Sequence, residues 1–454
     1  MALAGVAAII AAGLGSVLLA NAKVAWPVAP MGVRATNLRV VAGSGGATDW
    51  PTYHRGSARD GVDPAGPALG QVRRLWTAAV DGAVYAEPLV VAGRVIVATE
   101  NDSVYAFDAG SGRLAWRIHL GTPVAGGDLP CGDIDPSGIT GTPVVDPKAG
   151  IVYAVTFERG PQHVLVAVDL ASGRVRWQRP IDPPGADPTV HQQRAALALS
   201  RGRVYVAYGG LYGDCGDYHG WVVAIPTSGP SGSLVSYRVP TGREGGIWAP
   251  SGPAVDAAGN LYVATGNGSS SSFDYGNAVI RLSAGLQATG FFAPHNAGAL
   301  NGSDADLGST GPLLLPGSRA FIIGKSGIGY LLNADQLGGI GHPLATLDIC
   351  GAAFGGLAYG QSRIYIPCTS GIVALHLTGS SLREVWHQPA ATSPPIVAGR
   401  AVWAIGGRSL YQLDSRTGAV RYRASIGNTA HFATPAASGG RIFVAAGERL
   451  LAFG

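Results

Sequence analysis

Short runs of apolar residues, separated by turns rich in glycine and aspartate, recur along most of the chain. The clearest example is residues 94–116, RVIVATENDSVYAFDAGSGRLAW, which contains three such runs. Apolar or alternating runs that are bounded by Gly and Asp are typical of β-strands joined by tight turns. The pattern therefore predicts three consecutive strands near residues 95–99, 104–107 and 114–116.

The same unit returns at residues 164–177, VLVAVDLASGRVRW, and at residues 410–422, LYQLDSRTGAVRY. In each copy an aspartate ends a strand, a glycine turns the chain, and an aromatic residue follows four positions later. The three sets are Asp108, Gly112 and Trp116; Asp169, Gly173 and Trp177; Asp414, Gly418 and Tyr422. Asp can cap a turn, Gly tolerates positive φ, and an aromatic ring can wedge between sheets. Self-similarity at about 40–50 residues indicates a repeat architecture.

The strand-like runs group into four-stranded sets, with approximate ranges of 88–119, 140–180, 194–240, 251–293, 308–348, 353–388 and 393–425. Three further runs between residues 433 and 453 lack a fourth strand, which residues 72–80 can supply. We therefore predict an all-β, eight-bladed β-propeller of four-stranded blades, closed by an N-terminal strand that joins the C-terminal blade. The fifth set shows no clear outer strand, so a count of seven or nine stays open.

Composition supports many short strands and excludes one large class of function. Charged residues make up only 13% of the 454-residue chain, which has 69 Gly and 30 Pro. The formal net charge of +4 is too small to indicate a nucleic-acid partner. Lysine occurs only at Lys23, Lys148 and Lys325, and this rarity makes Lys325 a candidate for a specific role.

The N-terminus carries the single membrane-like stretch, residues 2–22, which ends in Ala-Asn-Ala. An apolar run with such an ending is typical of a secretory signal peptide, while its length also suits an uncleaved anchor. We assign residues 1–22 to a signal peptide or anchor, 23–48 to a linker and 49–454 to the propeller. The propeller is therefore predicted to be exported, secreted or at the cell envelope, with membrane contact only through an uncleaved N-terminal segment.

The repeat unit VYAFDAGSGRLAW and the leading segment DWPTYHRGSARDG (49–61) resemble the pyrroloquinoline-quinone (PQQ) repeat propellers. These include the quinoprotein alcohol dehydrogenases and the outer-membrane assembly scaffold that shares their fold. The resemblance covers essentially all of residues 49–454. It implies the fold and does not fix the chemistry.

The predicted connections differ sharply in length between the two faces of the ring. Short turns join first and second strands at residues 92–93, 200–202, 257–259 and 398–399. The opposite face carries the long loops 121–139, 182–193, 209–219, 241–250, 267–275 and 294–309. Because long loops on a rigid scaffold tend to carry function, we expect the site on that face, near the central channel.

All four cysteines map to the long-loop face, and their even number suits an oxidising compartment. Cys350 and Cys368 lie at neighbouring strand ends and form the better-supported pair, while Cys131 and Cys215 come from adjacent blades. We expect structural disulfides. A redox-active disulfide is the alternative, but the two adjacent cysteines that the resemblance would imply for it are missing.

The resemblance also implies a set of site residues in the right blade order. By it, Glu87 is an acidic quinone contact, Trp248 lies under the quinone, and Asn267 is a calcium ligand. Asp304 resembles the catalytic base and a metal ligand, Asp306 is its neighbour, and Lys325 is the catalytic cation near the quinone carbonyls. A metal and a cation would polarise the quinone while a carboxylate accepts the alcohol proton. Read without the resemblance, the same residues can be turn, cap or packing residues.

One departure weakens the cofactor hypothesis. The resemblance implies a glutamate calcium ligand in the central loop of blade three, but that loop reads LYGDCGDYHGW and offers only Asp214 or Asp217. His191, His219, His295 and His431 also fall near this face without the spacing of a metal site.

Two functions therefore stand side by side. The favoured hypothesis is a non-catalytic binding or scaffold module at the cell envelope, which would hold envelope proteins or glycans. The alternative is a PQQ- and calcium-dependent dehydrogenase that oxidises a small alcohol or sugar and passes electrons to an external acceptor.

Overall fold

The computed structural model describes residues 48–454. The predicted signal peptide or anchor and nearly all of the predicted linker lie outside the described residues. Within the described range, no helix has the length and apolar character needed to cross a membrane.

Eight β-sheets follow one another along the chain, and the predicted eight-bladed propeller is confirmed. The four strands of blades 1 to 4, from first to last, are Leu89–Val91, Arg94–Ala98, Ser103–Asp108 and Leu114–His119; Val144–Asp146, Ile151–Glu158, Gln162–Asp169 and Val175–Pro180; Ala198–Ser200, Arg203–Gly210, Trp221–Pro226 and Val235–Arg238; Ala254–Val255, Leu261–Ala264, Val279–Leu282 and Ala288–Ala293.

Blades 5 to 7 continue the pattern. Their strands are Leu313–Leu315, Arg319–Ile323, Ile328–Asn333 and Ala345–Asp348; Ala358–Gly360, Arg363–Cys368, Gly371–Thr378 and Ser381–Gln388; Ile396–Ala398, Ala401–Gly406, Ser409–Asp414 and Val420–Ser425. The outer strand of blade 5, which the sequence left uncertain, is therefore Ala345–Asp348, antiparallel to Ile328–Asn333.

Blade 8 combines the two ends of the described chain. Its first three strands are Ala436–Ser438, Arg441–Ala445 and Arg449–Phe453. The fourth is Arg74–Ala79, which pairs antiparallel with Arg449–Phe453.

A few short elements lie outside the four-stranded pattern. They are the two-residue strands Val62–Asp63, His191–Gln192 and Gly339–Ile340, the α-helix Ala297–Gly302, and the 3-10 turns Gly126–Asp128, Pro188–Val190 and Leu307–Ser309.

The repeated Asp–Gly–aromatic unit packs neighbouring blades against each other at three boundaries. Gly112 has φ +71°, and a Cβ there would lie 2.6 Å from the ring of Trp76 in the preceding outer strand. Gly173 meets Trp116 and Gly418 meets Trp386 in the same way. The Trp116 indole N–H also donates to the Leu170 carbonyl across the blade boundary at 2.9 Å. Each of these positions therefore requires glycine for two reasons: the backbone has a positive φ, and a side chain would collide with the neighbouring ring.

Residues 50–63, here called the plug, run around one end of the central channel and contact the first part of every blade. Backbone hydrogen bonds link Trp50 to Val90 in blade 1. In blades 2, 4, 5, 6 and 7 a backbone N–H of the blade donates to a plug carbonyl. These donor–acceptor pairs are Val145–Pro51, Val255–Ser57, Leu314–Ala58, Tyr359–Asp60 and Val397–Gly61. Side chains complete the circle, with Arg59 donating to the Leu197 carbonyl of blade 3 and Tyr53 bonding Thr434 of blade 8. The plug therefore ties the ring together from inside.

Arg59 is the centre of the plug. It is only 2% exposed, and its guanidinium donates to the carbonyls of Pro253, Tyr53 and Leu197 and to the Thr52 hydroxyl. A buried guanidinium is tolerated only when its donors are satisfied in this way.

Candidate functional site

The long loops converge on a cavity of about 510 Å³ at the end of the channel away from the short turns. We call this end the front and the cavity the front funnel. Five of the six site residues predicted from the sequence line it: Trp248, Asn267, Asp304, Asp306 and Lys325. A cavity of this size can hold a small molecule or the side chains of a partner.

Lys325 is the hub of the polar cluster in the funnel. Its ammonium nitrogen lies 2.7 Å from Asp304 Oδ1 and 2.6 Å from Asp306 Oδ2. The same nitrogen lies 5.9 Å from the ring centroid of Trp248, within cation–π range. One lysine therefore bridges two carboxylates in front of an indole face.

Local structure explains why these groups meet. Lys325 lies in the turn between Arg319–Ile323 and Ile328–Asn333, and its backbone N–H donates to the Asp306 carbonyl at 2.9 Å. Asp306 immediately precedes the 3-10 turn Leu307–Ser309, and its Oδ1 accepts from the Asn267 backbone N–H at 2.6 Å. The loops after blade 4 and inside blade 5 are thus fixed to each other through this carboxylate.

Asn267 is held by bonds at both ends of its carboxamide. Its Nδ2 donates to Asp304 Oδ1 at 2.9 Å, and its Oδ1 accepts from Asn277 Nδ2 at 3.0 Å. Asn277 is fully buried and also accepts from the Leu307 backbone N–H. The amide oxygen of Asn267 is therefore already used inside the protein.

Burial and charge pairing act in opposite directions at this cluster. Burial raises the pKa of Asp306, and the Lys325 ammonium counteracts that rise. Partial burial of Lys325 disfavours its charged form, but the carboxylates of Asp306 and Asp304 more than compensate and raise its pKa above the usual value. Lys325 is therefore a permanent cation near neutral pH.

The calcium ion that the resemblance implies does not fit this arrangement. The Lys325 ammonium lies where a cation between Asp304 and Asp306 would bind, and the Asn267 carbonyl already accepts one hydrogen bond from Asn277. Across residues 48–454, no group of three or more His, Cys, Asp or Glu side chains is arranged to hold a metal ion. We therefore derive no chemical step through calcium.

Glu87 lies elsewhere. It is 2% exposed and its carboxylate accepts from the Trp50 indole at 3.0 Å and from the His54 backbone N–H at 2.8 Å. Burial raises its pKa well above the usual value. Glu87 thus holds the plug and is not among the residues that line the funnel.

The other polar residues considered from the sequence are dispersed around the front. Asp214 lines the funnel and accepts from the Tyr218 hydroxyl at 2.6 Å, while the Asp217 side chain is 81% exposed and lies 3.7 Å from His219. His191 Nε2 accepts from the His219 backbone N–H. Of the four histidines only His431 lines the funnel, and His295 packs near His342 instead.

Sequence reasoning missed an aromatic and cationic wall. The Arg194 guanidinium lies over the Phe432 ring at 4.7 Å, and Phe432 stacks with Phe354 at 5.9 Å. Arg194 Nη2 is buried without a hydrogen-bond partner. The residues come from blade 3, blade 6 and the loop before blade 8, so no local pattern connects them.

Both predicted disulfides are confirmed. Cys131 pairs with Cys215 and Cys350 with Cys368, each with a Cα–Cα distance of 6.2 Å. The first ties the loop before blade 2 to the central loop of blade 3, and the second joins neighbouring strand ends in blades 5 and 6. Both therefore fix loops around the front funnel.

Comparison with known proteins agrees with this architecture. Residues 71–208 match the family model described as outer membrane protein assembly factor BamB. A comparison with curated protein sequences found no significant match.

Solved structures share the fold at low sequence identity. Quinohemoprotein alcohol dehydrogenase ADHIIG from Pseudomonas putida HK5 has a TM-score of 0.71 and 15% identity, over 91% of this chain and 81% of its own. A europium-containing methanol dehydrogenase has a TM-score of 0.70 and 15% identity, over 90% and 92%. BamB from Moraxella catarrhalis has a TM-score of 0.58 and 13% identity, over 84% and 99%.

The sheet topology shows that the chain is an eight-bladed β-propeller, and these matches show that its fold resembles that of the PQQ-repeat propellers. Proteins that share this fold include alcohol and methanol dehydrogenases as well as an outer-membrane assembly factor. The fold alone does not choose between those activities.

Proposed function

We propose that this protein is a non-catalytic binding module of the cell envelope, and that its front funnel receives a cationic segment of a partner protein. The observation that carries the proposal is that the charged Lys325 ammonium is already paired with both Asp304 and Asp306. A cation that is already paired twice is a poor electrophile for a cofactor or substrate, and it fixes the loops around it.

The remaining charge of the funnel favours a cationic ligand. Its walls carry five carboxylates against two cations: Asp133, Asp214, Glu244, Asp304 and Asp306 face Arg194 and Lys325. Trp248, Tyr218, Phe354 and Phe432 add aromatic faces. Lysine and arginine side chains bind aromatic faces and carboxylates together, and an excess of one sign of charge steers such a partner toward the funnel.

The location is part of the same proposal. Two disulfides within a single propeller are typical of proteins that fold outside the cytoplasm. An extracytoplasmic binding module also agrees with the apolar stretch at residues 2–22.

Thermal unfolding in the presence of candidate ligands tests the proposal, because a ligand that binds only the folded state raises the melting temperature. We expect trilysine to raise it, the Asp304→Asn variant to reduce that rise, and PQQ with calcium chloride to leave the melting temperature unchanged. Asp335→Asn is the matched control, because it removes one exposed carboxylate outside the funnel.

Two results would contradict the proposal. The first is a melting temperature that trilysine does not change. The second is a rise that needs both PQQ and calcium and is lost in Lys325→Ala, which would instead support the dehydrogenase hypothesis.

A further inference from the structure

A second cavity opens at the opposite end of the channel, which we call the rear. It has a volume of about 540 Å³ and lies between the plug and the short turns of blades 2 to 5. The segment just after the plug covers the other side of this end, where Gly66 lies so close to Ala398 that a Cβ would fall 2.4 Å from its backbone. The rear cavity is therefore the part of the channel end that the plug and this segment leave open.

The charge of the rear cavity is opposite to that of the front funnel. Five cations line it, namely Arg55, Arg59, Lys148, Arg201 and Arg319, against the two carboxylates Asp146 and Asp256. The lining thus has a clear excess of positive charge, although the chain as a whole has a net charge of only +4.

Both carboxylates are used by their own turns. Asp146 Oδ1 accepts from the backbone N–H groups of Lys148 and Ala149, each at 3.0 Å. Asp256 accepts from Asn260 Nδ2 at 2.8 Å and from the Tyr262 hydroxyl at 3.2 Å. Neither forms an ion pair with a cation of the cavity in the described part of the chain, and the five cations still exceed the two carboxylates.

Two of the five cations, Lys148 and Arg201, have side-chain donors that are free to bind a ligand, and the other three already donate to the protein. Arg59 and Arg319 donate to backbone carbonyls, as does Arg55. In contrast, the side chains of Lys148 and Arg201 make no hydrogen bond or ion pair with any residue between 48 and 454. They lie on the equivalent short turns of neighbouring blades 2 and 3 and are exposed at the rim.

The rest of the cavity wall is largely apolar. Val145, Leu199, Val255, Leu314 and Leu315 contribute to it, together with Ala58 of the plug. A ligand that satisfies both parts must carry an anionic group for the rim and an apolar body for the wall.

The chain itself supplies no matching occupant just upstream. Residues 23–47 contain Lys23, Arg34 and Arg39 and no acidic residue. Like charges repel, so the electrostatics favour an external ligand over this segment.

We propose that the rear cavity binds a small amphipathic anion, whose carboxylate or phosphate contacts Lys148 and Arg201 and whose apolar body packs against the wall of blades 2 to 5. This proposal is independent of the function assigned to the front funnel, because the two cavities share no lining residue.

Isothermal titration calorimetry of the exported propeller with sodium decanoate, below its micellar concentration, tests the proposal. We expect one site per chain that the double variant Lys148→Gln/Arg201→Gln weakens by about tenfold or more, since charge-assisted hydrogen bonds contribute about 1.5–3 kcal/mol. The double variant Arg113→Gln/Arg174→Gln removes two exposed cations from the turns that precede the outer strands of blades 1 and 2, and it should bind as the unmodified protein does.

Three companion ligands define the chemistry. Decanol lacks the charge and acetate lacks the apolar body, so both should bind at least about tenfold more weakly than decanoate. Comparing the affinities of decyl phosphate and decanoate shows whether the site prefers a phosphate or a carboxylate head group.

The proposal is overturned if decanol binds as well as decanoate, if neither anion binds, or if the Lys148→Gln/Arg201→Gln protein keeps full affinity. Both substituted residues are exposed, so melting temperatures of this variant and of the control should match that of the unmodified protein and exclude misfolding as the cause.

Discussion

The two ends of the channel are built on the same ring of strands and carry opposite charge. The front funnel has five carboxylates and two cations, and the rear cavity has five cations and two carboxylates. At each end the minority charge is used internally: Lys325 by Asp304 and Asp306 at the front, and Asp146 and Asp256 by their own turns at the rear. Most of these charged residues lie in loops, turns or the plug, and the blades hold them in position.

The plug is what keeps the two ends distinct. Its backbone accepts hydrogen bonds from the first strands of successive blades, and Arg59 fills its centre. Glu87 and His54 also contribute to this barrier between the two ends, and the His54 backbone N–H donates to the Glu87 carboxylate. Burial lowers the pKa of His54 to about 3, so its imidazole is neutral beside the Leu357 carbonyl that it contacts at 2.8 Å.

The largest loss of stability is expected when Arg59, the buried residue at the centre of the plug, is replaced. Arg59→Met leaves three backbone carbonyls and the Thr52 hydroxyl without their donor. We expect the free energy of unfolding to fall by about 3–5 kcal/mol, because buried acceptors lose their partner. Urea denaturation measures the change.

Arg201→Met serves as the control for that substitution, because Arg201 is an exposed rim residue. Its change should stay within about 0.5 kcal/mol. Equal stability of the Arg59→Met and Arg201→Met proteins would show that the plug does not hold the ring together.

Removing a disulfide should affect the front and spare the rear, because both bridges tie front loops. Replacing Cys131 and Cys215 by Ser should lower the free energy of unfolding by about 2–5 kcal/mol. Replacing Cys350 and Cys368 should lower it by about 1 kcal/mol less, because this disulfide closes a shorter loop, with a sequence separation of 18 residues against 84. Denaturation measures stability, and decanoate titration of the rear cavity should be unchanged. A loss of decanoate binding would show that the two ends are coupled.

Replacing Lys325 sharpens the difference at the front. In Lys325→Ala the buried Asp306 loses its cation, so its folded-state pKa rises further above the unfolded value. A carboxyl with a raised folded pKa contributes stability at low pH that is lost as the pH rises through that pKa. We therefore expect the free energy of unfolding of Lys325→Ala to be slightly below that of the unmodified protein at pH 4 and about 1–3 kcal/mol below it at pH 8. This range is kept small because Asp304 is exposed and solvent screens its pair with Lys325.

The matched control for that prediction is Lys148→Ala at the rear, which should show no pH-dependent deficit because Lys148 has no described partner. Thermal denaturation across this pH range gives both curves. A deficit in Lys325→Ala that is constant from pH 4 to pH 8 would contradict the assigned role of the Lys325–Asp306 pair.

The sequence was most informative where the determinant is local or repeated. The Asp–Gly–aromatic unit predicted the blades because Gly112 and Gly173 must both turn and make room for a tryptophan. Strand ends also located the cysteine pairs. The family resemblance named Trp248, Asn267, Asp304, Asp306 and Lys325 as site residues. The structure brings these five together in the front funnel, and their role as a quinone site stays a hypothesis.

Other features could not be predicted, because they depend on contacts between distant segments. The plug residues were seen only as a segment that precedes the ring, yet His54 contacts Leu357 and Tyr53 contacts Thr434. The resemblance implied a quinone contact for Glu87, and the structure shows its carboxylate accepting hydrogen bonds from Trp50 and His54 of the plug. The rear cavity arises from turns of four blades, none of which has a distinctive motif.

Hydrogen–deuterium exchange of the plug, followed by mass spectrometry, is the most direct test of the claim that a structured plug separates two recognition sites. We expect the amides that donate across the contact between plug and ring, those of Trp50, Val145 and Val255, to exchange as slowly as those in central strands such as Ser103–Asp108. Exchange as fast as that of the exposed loops would mean that the plug opens freely, and the two ends would then be one continuous channel.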